Sequence, residues 1–136
     1  MTARPVRSIS ARRAARHPKV AYLVAADETT MPELELLIAT MPLCATGRIF
    51  IEVADAASVG EIAAPPRMTV TWLDRSRGDR APGQALAGAV TAWADEMLCD
   101  AEDATGVYLL AAAGAERIQR HLTIGLEVSP SRVHVG

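Results

Sequence analysis

The chain has 136 residues, 50% hydrophobic and 22% charged, which suffices for one domain with a buried core and is too short for two. No apolar run approaches the roughly 20 residues of a membrane span, and the basic start is not followed by the apolar stretch of a secretory signal, so a cytoplasmic protein with no membrane span is expected. The net charge of −2 hides an asymmetry: residues 1–19 hold six basic side chains (Arg4, Arg7, Arg12, Arg13, Arg16 and Lys19) and no acidic one, which leaves −8 on the remainder.

A cationic leader of this kind fits a linker, an anionic-surface anchor or a nucleic-acid arm. It has no aromatic residue on which bases could stack, so it reads as a basic leader or linker, and nucleic acid is not an expected partner. The domain proper is expected over 20–136.

From residue 20 onward, short runs of Val, Ile, Leu and Tyr alternate with segments of helical period, the pattern of an α/β domain with a parallel sheet. A first strand is predicted over 20–25. A helix follows, with Thr30 as N-cap, Glu33 completing a capping box and Pro32 in the first turn, where a missing N–H does no harm. Leu34, Leu37, Ile38 and Met41 form its buried stripe, and Pro42 ends it. Residues 48–53 give a second strand whose apolar run is broken only by Glu52, which suits a sheet covered on both faces.

Residues 55–66, with Gly60, Pro65 and Pro66, read as a loop or a short helical turn. The third strand is predicted over 68–73, followed by a charged Gly- and Pro-bearing loop at 74–83. Leu86, Ala89, Val90, Trp93 and Met97 then share one helix face. A polar connection at 100–106, a fourth strand at 107–112, a helix marked by Ala115, Ile118 and Leu122, and a closing strand at 132–135 complete the chain.

The expected fold is a small doubly wound, mostly parallel five-stranded α/β sheet with its helices divided between both faces. Ligands on such sheets bind beyond the carboxyl ends of the strands, where strand order reverses. The loops at 26–30, 74–83 and 112–114 should meet there.

The first of these loops reads Ala25-Ala26-Asp27-Glu28-Thr29-Thr30. Without glycine it is not a G-x-G-x-x-G dinucleotide fingerprint, and two adjacent carboxylates repel phosphate. Thr29, Thr30 and the helix amides remain as anion contacts. Asp27 and Glu28 would serve as an acid–base pair only if a pocket raised one pKa, so their expected role is to shape the loop. Cys44 and Cys99 have no close Cys or His partner and are predicted to be reduced core thiols with no metal site. His17, His121 and His134 are expected at the surface or at helix ends, and Trp72 and Trp93 in or near the core. Ser129 and Ser131 flank Pro130 without the strand–turn–helix elbow of a nucleophilic serine.

Residues 25–32 resemble the stretch A-G-D-E-T-A-L-P that follows the first strand in the C-terminal domain of siderophore-interacting proteins, a family of flavin-dependent ferric-siderophore reductases. The following helix closes with Met41-Pro42 as the family's does. Phe50-Ile51-Glu52-Val53-Ala54-Asp55 and Val70-Thr71-Trp72-Leu73-Asp74-Arg75 are similar to the family's second and third strands, and Pro82-Gly83 and the Trp93 helix keep the family order.

The resemblance implies a Rossmann-like domain, similar to the NAD(P) domain of ferredoxin reductases, that binds NADPH or NADH and serves a flavin. No flavin-contacting motif of the family precedes Tyr22, so no FAD is expected on this chain, nor independent ferric-siderophore reduction. The implied cofactor-binding residues are Asp27, Glu28, Thr29, Thr30, Arg75, Arg77, Ala112 and Ala113, with Arg75 and its helper Arg77 directed at an adenosine 2′-phosphate. No catalytic residue is assigned.

The chain departs from the family pattern at Ala26, where the motif has Gly, and at Ala112 and Ala113, where the block W-V-A-G-E has Gly and Glu. A methyl group at Ala26 or Ala112 is expected to stand where the family's backbone comes closest to ligand. Two functions follow as alternatives. One is a nucleotide-binding domain that works with a separate flavoprotein in iron-siderophore metabolism. The other is a non-catalytic interaction or oligomerisation module with a decayed cofactor site, for which a homodimer is the natural partner.

Overall fold

The computed structural model describes residues 21–98 and 106–136. Five strands form one sheet: β1 (Ala21–Asp27), β2 (Thr46–Val53), β3 (Met68–Asp74), β4 (Gly106–Leu109) and β5 (Val133–Val135). Their order is β3-β2-β1-β4-β5 and every neighbouring pair is parallel. The reversal falls between β1 and β4, so the crevice for a ligand opens beyond Asp27 and Leu109.

Helix α1 (Met31–Thr40) and the connection through Ile62 and Ala64 pack on one face, against Val24, Ile49, Ile51 and Val53. Helices α2 (Gln84–Met97) and α3 (Ala115–Arg120) pack on the other, against Leu23, Ala25, Phe50, Val107 and Leu109. Among the described residues the α-helices are thus divided one to two between the faces. The reason is that the β2–β3 connection carries only a short 3₁₀ turn, Ala56–Ser58, where a doubly wound sheet would place a helix. Leu23, Val24, Ile49 and Ile51 are fully buried, as the unbroken apolar character of a central parallel strand requires.

Several expectations shift at element ends. β4 stops at Leu109 rather than at 112, because the N–H groups of Leu110 and Ala111 both converge on the carbonyl of Ala25, at 2.9 and 3.1 Å, and the chain turns away. α3 passes into a π-helical turn, His121–Gly125, with Leu122 still buried. Met97 is exposed at the last turn of α2, and Ala94 holds the core position instead. Cys44 is exposed in the turn before β2 rather than buried in the core. The polar connection at 100–105, Cys99 and the leader with His17 lie outside the described residues. Trp72 and Trp93 are both half-buried against the core as expected, Trp93 edge-on to Phe50 with centroids 6.2 Å apart.

Candidate functional site

The three loops predicted to meet do meet: a buried carboxylate holds Arg75 and the start of α2, and Arg75 reaches from there to the β1–α1 loop. Glu52 is the penultimate residue of β2 and 1% exposed, the one charged side chain among the fully buried described residues. A carboxylate in such a place is tolerable only with its lone pairs filled. Glu52 Oε2 accepts from the Gly83 N–H and from Arg75 Nη1, both at 2.9 Å, and Oε1 accepts from the Leu86 N–H at 3.0 Å. Two of these donors, Gly83 and Leu86, belong to the N-terminus of α2, so two of its orphan amides are satisfied from within the sheet and the positive dipole end faces a carboxylate.

Arg75, just past β3, is held between two carboxylates. Beyond Glu52, its Nη1 lies 3.3 Å from Glu28 Oε2, and Nη2 forms the second arm of a fork to Glu28 Oε1. The guanidinium is 17% exposed and Glu28 32% exposed. The hydrogen bond from Arg75 is the main reason the Glu28 carboxyl lies below its ordinary pKa, outweighing partial burial. The same pairing, Glu28 first and Glu52 after it, fixes Arg75 more firmly in its charged form. For Glu28 the net direction is thus downward, the reverse of what acid–base work requires. The loop-shaping role expected of Glu28 takes a specific form, a brace from the β1–α1 loop to the β3–α2 loop.

Asp27 and the two threonines close a turn among themselves. Asp27 Oδ1 accepts from the Thr29 N–H at 2.9 Å and from Thr29 Oγ1 at 2.6 Å, while Thr30 Oγ1 accepts from the Asp27 N–H at 3.0 Å. Thr30 stands at the N-cap position of α1, yet its hydroxyl bonds backward to β1 and the expected capping box with Glu33 does not form. The competing partner is local, as is usual for threonine next to an Asx turn.

Across the crevice, Gly83 and Gly114 precede α2 and α3 with φ of +86° each. A Cβ on Gly83 would lie 2.5 Å from the Ala113 carbonyl carbon, so the loop after β4 rests directly on the α2 N-terminus. Ala112 is exposed at this turn and Ala113 is half-buried. Ala26, by contrast, is fully buried with the α1-side core, so its methyl does not project toward the crevice as the sequence suggested.

Arg77 lies in the exposed loop after β3, as its sequence position implies. Its side chain and that of Arg80 line a cleft of about 470 Å³ together with Ala56, Val59, Trp72 and Asp74. Neither guanidinium has a hydrogen bond or ion pair among the described residues. Asp74, in the same lining, is held below its ordinary pKa chiefly by the Ser76 hydroxyl 2.6 Å away, with Arg77 contributing. The sheet thus brings Glu28 and Arg75 into one cluster, leaves Arg77 facing a separate cleft, and keeps Asp27, Thr29 and Thr30 occupied with one another. Gly83 and Gly114 close the approach between the loops, Glu52 lies buried behind Arg75, and Arg80 shares the Arg77 cleft. For Glu52 a signal was available, since a lone carboxylate in an otherwise apolar strand demands a buried partner.

The sequence model for "Siderophore-interacting protein" matches residues 20–135, almost the whole chain. The chain belongs to the siderophore-interacting protein family. Among curated relatives, ferric vibriobactin reductase ViuB from two strains of Vibrio cholerae serotype O1 is 30% identical over 66 residues, covering 48% of this chain and 24% of the relative. The family's solved structures share the fold. The siderophore-interacting protein SipS of Aeromonas hydrophila superposes with a TM-score of 0.68 at 24% identity, over 87% of this chain and 50% of that one. A siderophore utilization protein from T. fusca gives 0.65 at 30% identity, over 85% and 43%. The chain therefore spans about a quarter of the curated relatives it matches and half or less of the solved ones. Among the described residues of this family member no helix is long and apolar enough to cross a membrane, and no group of three or more His, Cys, Asp or Glu is placed to hold a metal ion.

Proposed function

We propose that the chain is the nicotinamide-nucleotide-binding part of a siderophore-interacting system and delivers reducing equivalents to a flavin carried by a partner domain or protein. The observation that carries this reading is the cleft outside β3, where the Arg77 and Arg80 guanidiniums, without a hydrogen-bond or ion-pair partner among the described residues, line a wall shared with Trp72, Val59 and Asp74. That combination suits a phosphorylated adenosine: guanidinium forks for the phosphate oxygens and an apolar wall for the base. When bound, the nicotinamide would supply a hydride.

In this reading the chain's own residues bind and orient. Arg77 and Arg80 take the adenosine phosphate, and Arg75 keeps the loops on either side of the crevice in register through Glu28 and Glu52. The Gly83 and Leu86 amides at the start of α2 are not available to a phosphate because Glu52 holds them. The burial of Ala26 supports the reading, since the exchange of the motif glycine for alanine is absorbed in the core.

The test is calorimetric titration with NADPH and NADP⁺, at low and moderate salt, of the full chain and of Arg77→Ala and Arg80→Ala. Saturable binding is expected, weakened about tenfold in each variant, the worth of one charge-assisted phosphate contact. An absence of heat at millimolar ligand would instead favour the interaction module, for which Ala112 and Ala113, standing where the family block has Gly and Glu, are the supporting observation.

A further inference from the structure

The cluster of Glu28, Arg75 and Glu52 holds two carboxylates to one guanidinium, and the two carboxylates are not equivalent. Glu52 is 1% exposed and fixed by two backbone amides as well as by Arg75. Glu28 is 32% exposed, sits on the β1–α1 loop, and its carboxylate has Arg75 as its partner. An ion pair at a rim is worth little in water, because solvation competes with it. A buried carboxylate with three donors does not leave. Of the two anions on Arg75, only Glu28 is free to exchange.

We propose that Glu28 is a displaceable internal anion: a pyrophosphate group entering the crevice replaces it on the outer edge of the Arg75 fork, while Glu52 keeps the inner edge. This rests on the nucleotide-binding reading for its biological ligand, and it assigns the acidic β1–α1 loop a purpose. A bare arginine facing the crevice would bind any passing oxyanion. The Glu28 carboxylate makes every anion compete, so a ligand that also holds the Arg77 and Arg80 cleft is favoured over free phosphate. The guanidinium geometry fits the exchange, since its planar fork donates to carboxylate and phosphate oxygens in the same bidentate way.

The test is a double-mutant cycle on the full chain with inorganic pyrophosphate as probe: wild type, Glu28→Gln, Arg75→Lys and the double variant. Glu28→Gln should bind pyrophosphate at least about threefold more tightly than wild type, and the gain should vanish in the Arg75→Lys background, because lysine lacks the fork. No gain, or a gain that persists in the Arg75→Lys background, would overturn the proposal and leave Glu28 as a fixed brace whose charge merely acts at a distance.

Should the Arg75→Lys protein fail to fold, carbon NMR of the side-chain carboxyls in wild type decides. Pyrophosphate must move the Glu28 resonance and leave that of Glu52 in place, and a stationary Glu28 overturns exchange. Titration of the same variants with NADP⁺ separates the two ideas. Nucleotide affinity lost in Arg77→Ala but unchanged in Glu28→Gln would preserve the nucleotide site and sink the displaceable anion. Affinity unchanged in Arg77→Ala but raised in Glu28→Gln would keep the displaceable anion and remove the Arg77 cleft.

Discussion

Glu52 in β2 accepts a hydrogen bond from the backbone N–H of Gly83 at the start of α2, 31 residues further along the chain, at 2.9 Å. A side chain near the carboxyl end of a strand thereby takes the part that N-cap residues ordinarily play from the chain immediately before a helix. Replacing Glu52 by Ala would leave Arg75 with Glu28 as its remaining carboxylate and two buried amides without acceptors. The expected loss is about 3–5 kcal/mol, the cost of breaking a buried pair from one side. Urea denaturation of Glu52→Ala beside the exposed-site control Glu61→Gln checks it, and equal midpoints would refute the capping role.

Two glycines should respond to alanine in opposite senses. At Gly83 the backbone has φ of +86° and a Cβ would lie 2.5 Å from the Ala113 carbonyl carbon. Gly83→Ala is expected to cost at least about 1–3 kcal/mol. Gly88 lies within α2, where an added methyl would have nothing within 4 Å, so Gly88→Ala should stabilise by about 0.5–1 kcal/mol through helix propensity. Thermal melts of the two variants, run side by side, test the pair.

Acid should weaken the fold through Glu28. Its carboxyl pKa is lower in the folded chain than the ordinary 4.5, so near and below that value the unfolded chain binds more protons. The stabilisation is complete above the ordinary value and is lost as pH falls through the depressed one. Asp74 adds to the same trend from a reference of 3.8. Melting temperatures taken downward from about pH 6 should fall for wild type and fall less for Glu28→Gln. Parallel curves would mean that Glu28 carries no linkage.

Restoring the motif glycine should not restore anything. Ala26 is fully buried under α1, and Ala26→Gly removes packing while freeing the unfolded backbone. A loss of about 0.5–1 kcal/mol is expected, with nucleotide affinity unchanged. A gain in affinity would show that the methyl does obstruct the crevice.

The strands were legible because parallel strands buried on both faces leave unbroken apolar runs, and Ile49 to Val53 is such a run apart from Glu52. α2 and α3 were legible from their stripes, Leu86, Val90 and Ile118 being buried as the period requires. What escaped was partner choice. Thr30 and Glu33 satisfy the pattern of a capping box, but the Thr30 hydroxyl found the backbone of Asp27 first. Arg75 has the chemistry of a phosphate ligand, yet whether it faces solvent or carboxylate depends on Glu28 and Glu52, 47 and 23 residues away in the chain. Periodicity reports which face is buried and says nothing of which polar groups meet across loops.

The backbones of Gly83 and Gly114 lie so close that a Cβ on Gly114 would fall 2.7 Å from the Gly83 carbonyl oxygen. Two loops that approach this closely cannot open one at a time. In amide exchange, the turns before α2 and α3 should therefore protect as a unit and release as a unit, with rates closer to those of the helices they begin than to those of ordinary surface turns. Whatever binds at this edge of the sheet meets a surface already shaped, and pays little in ordering it.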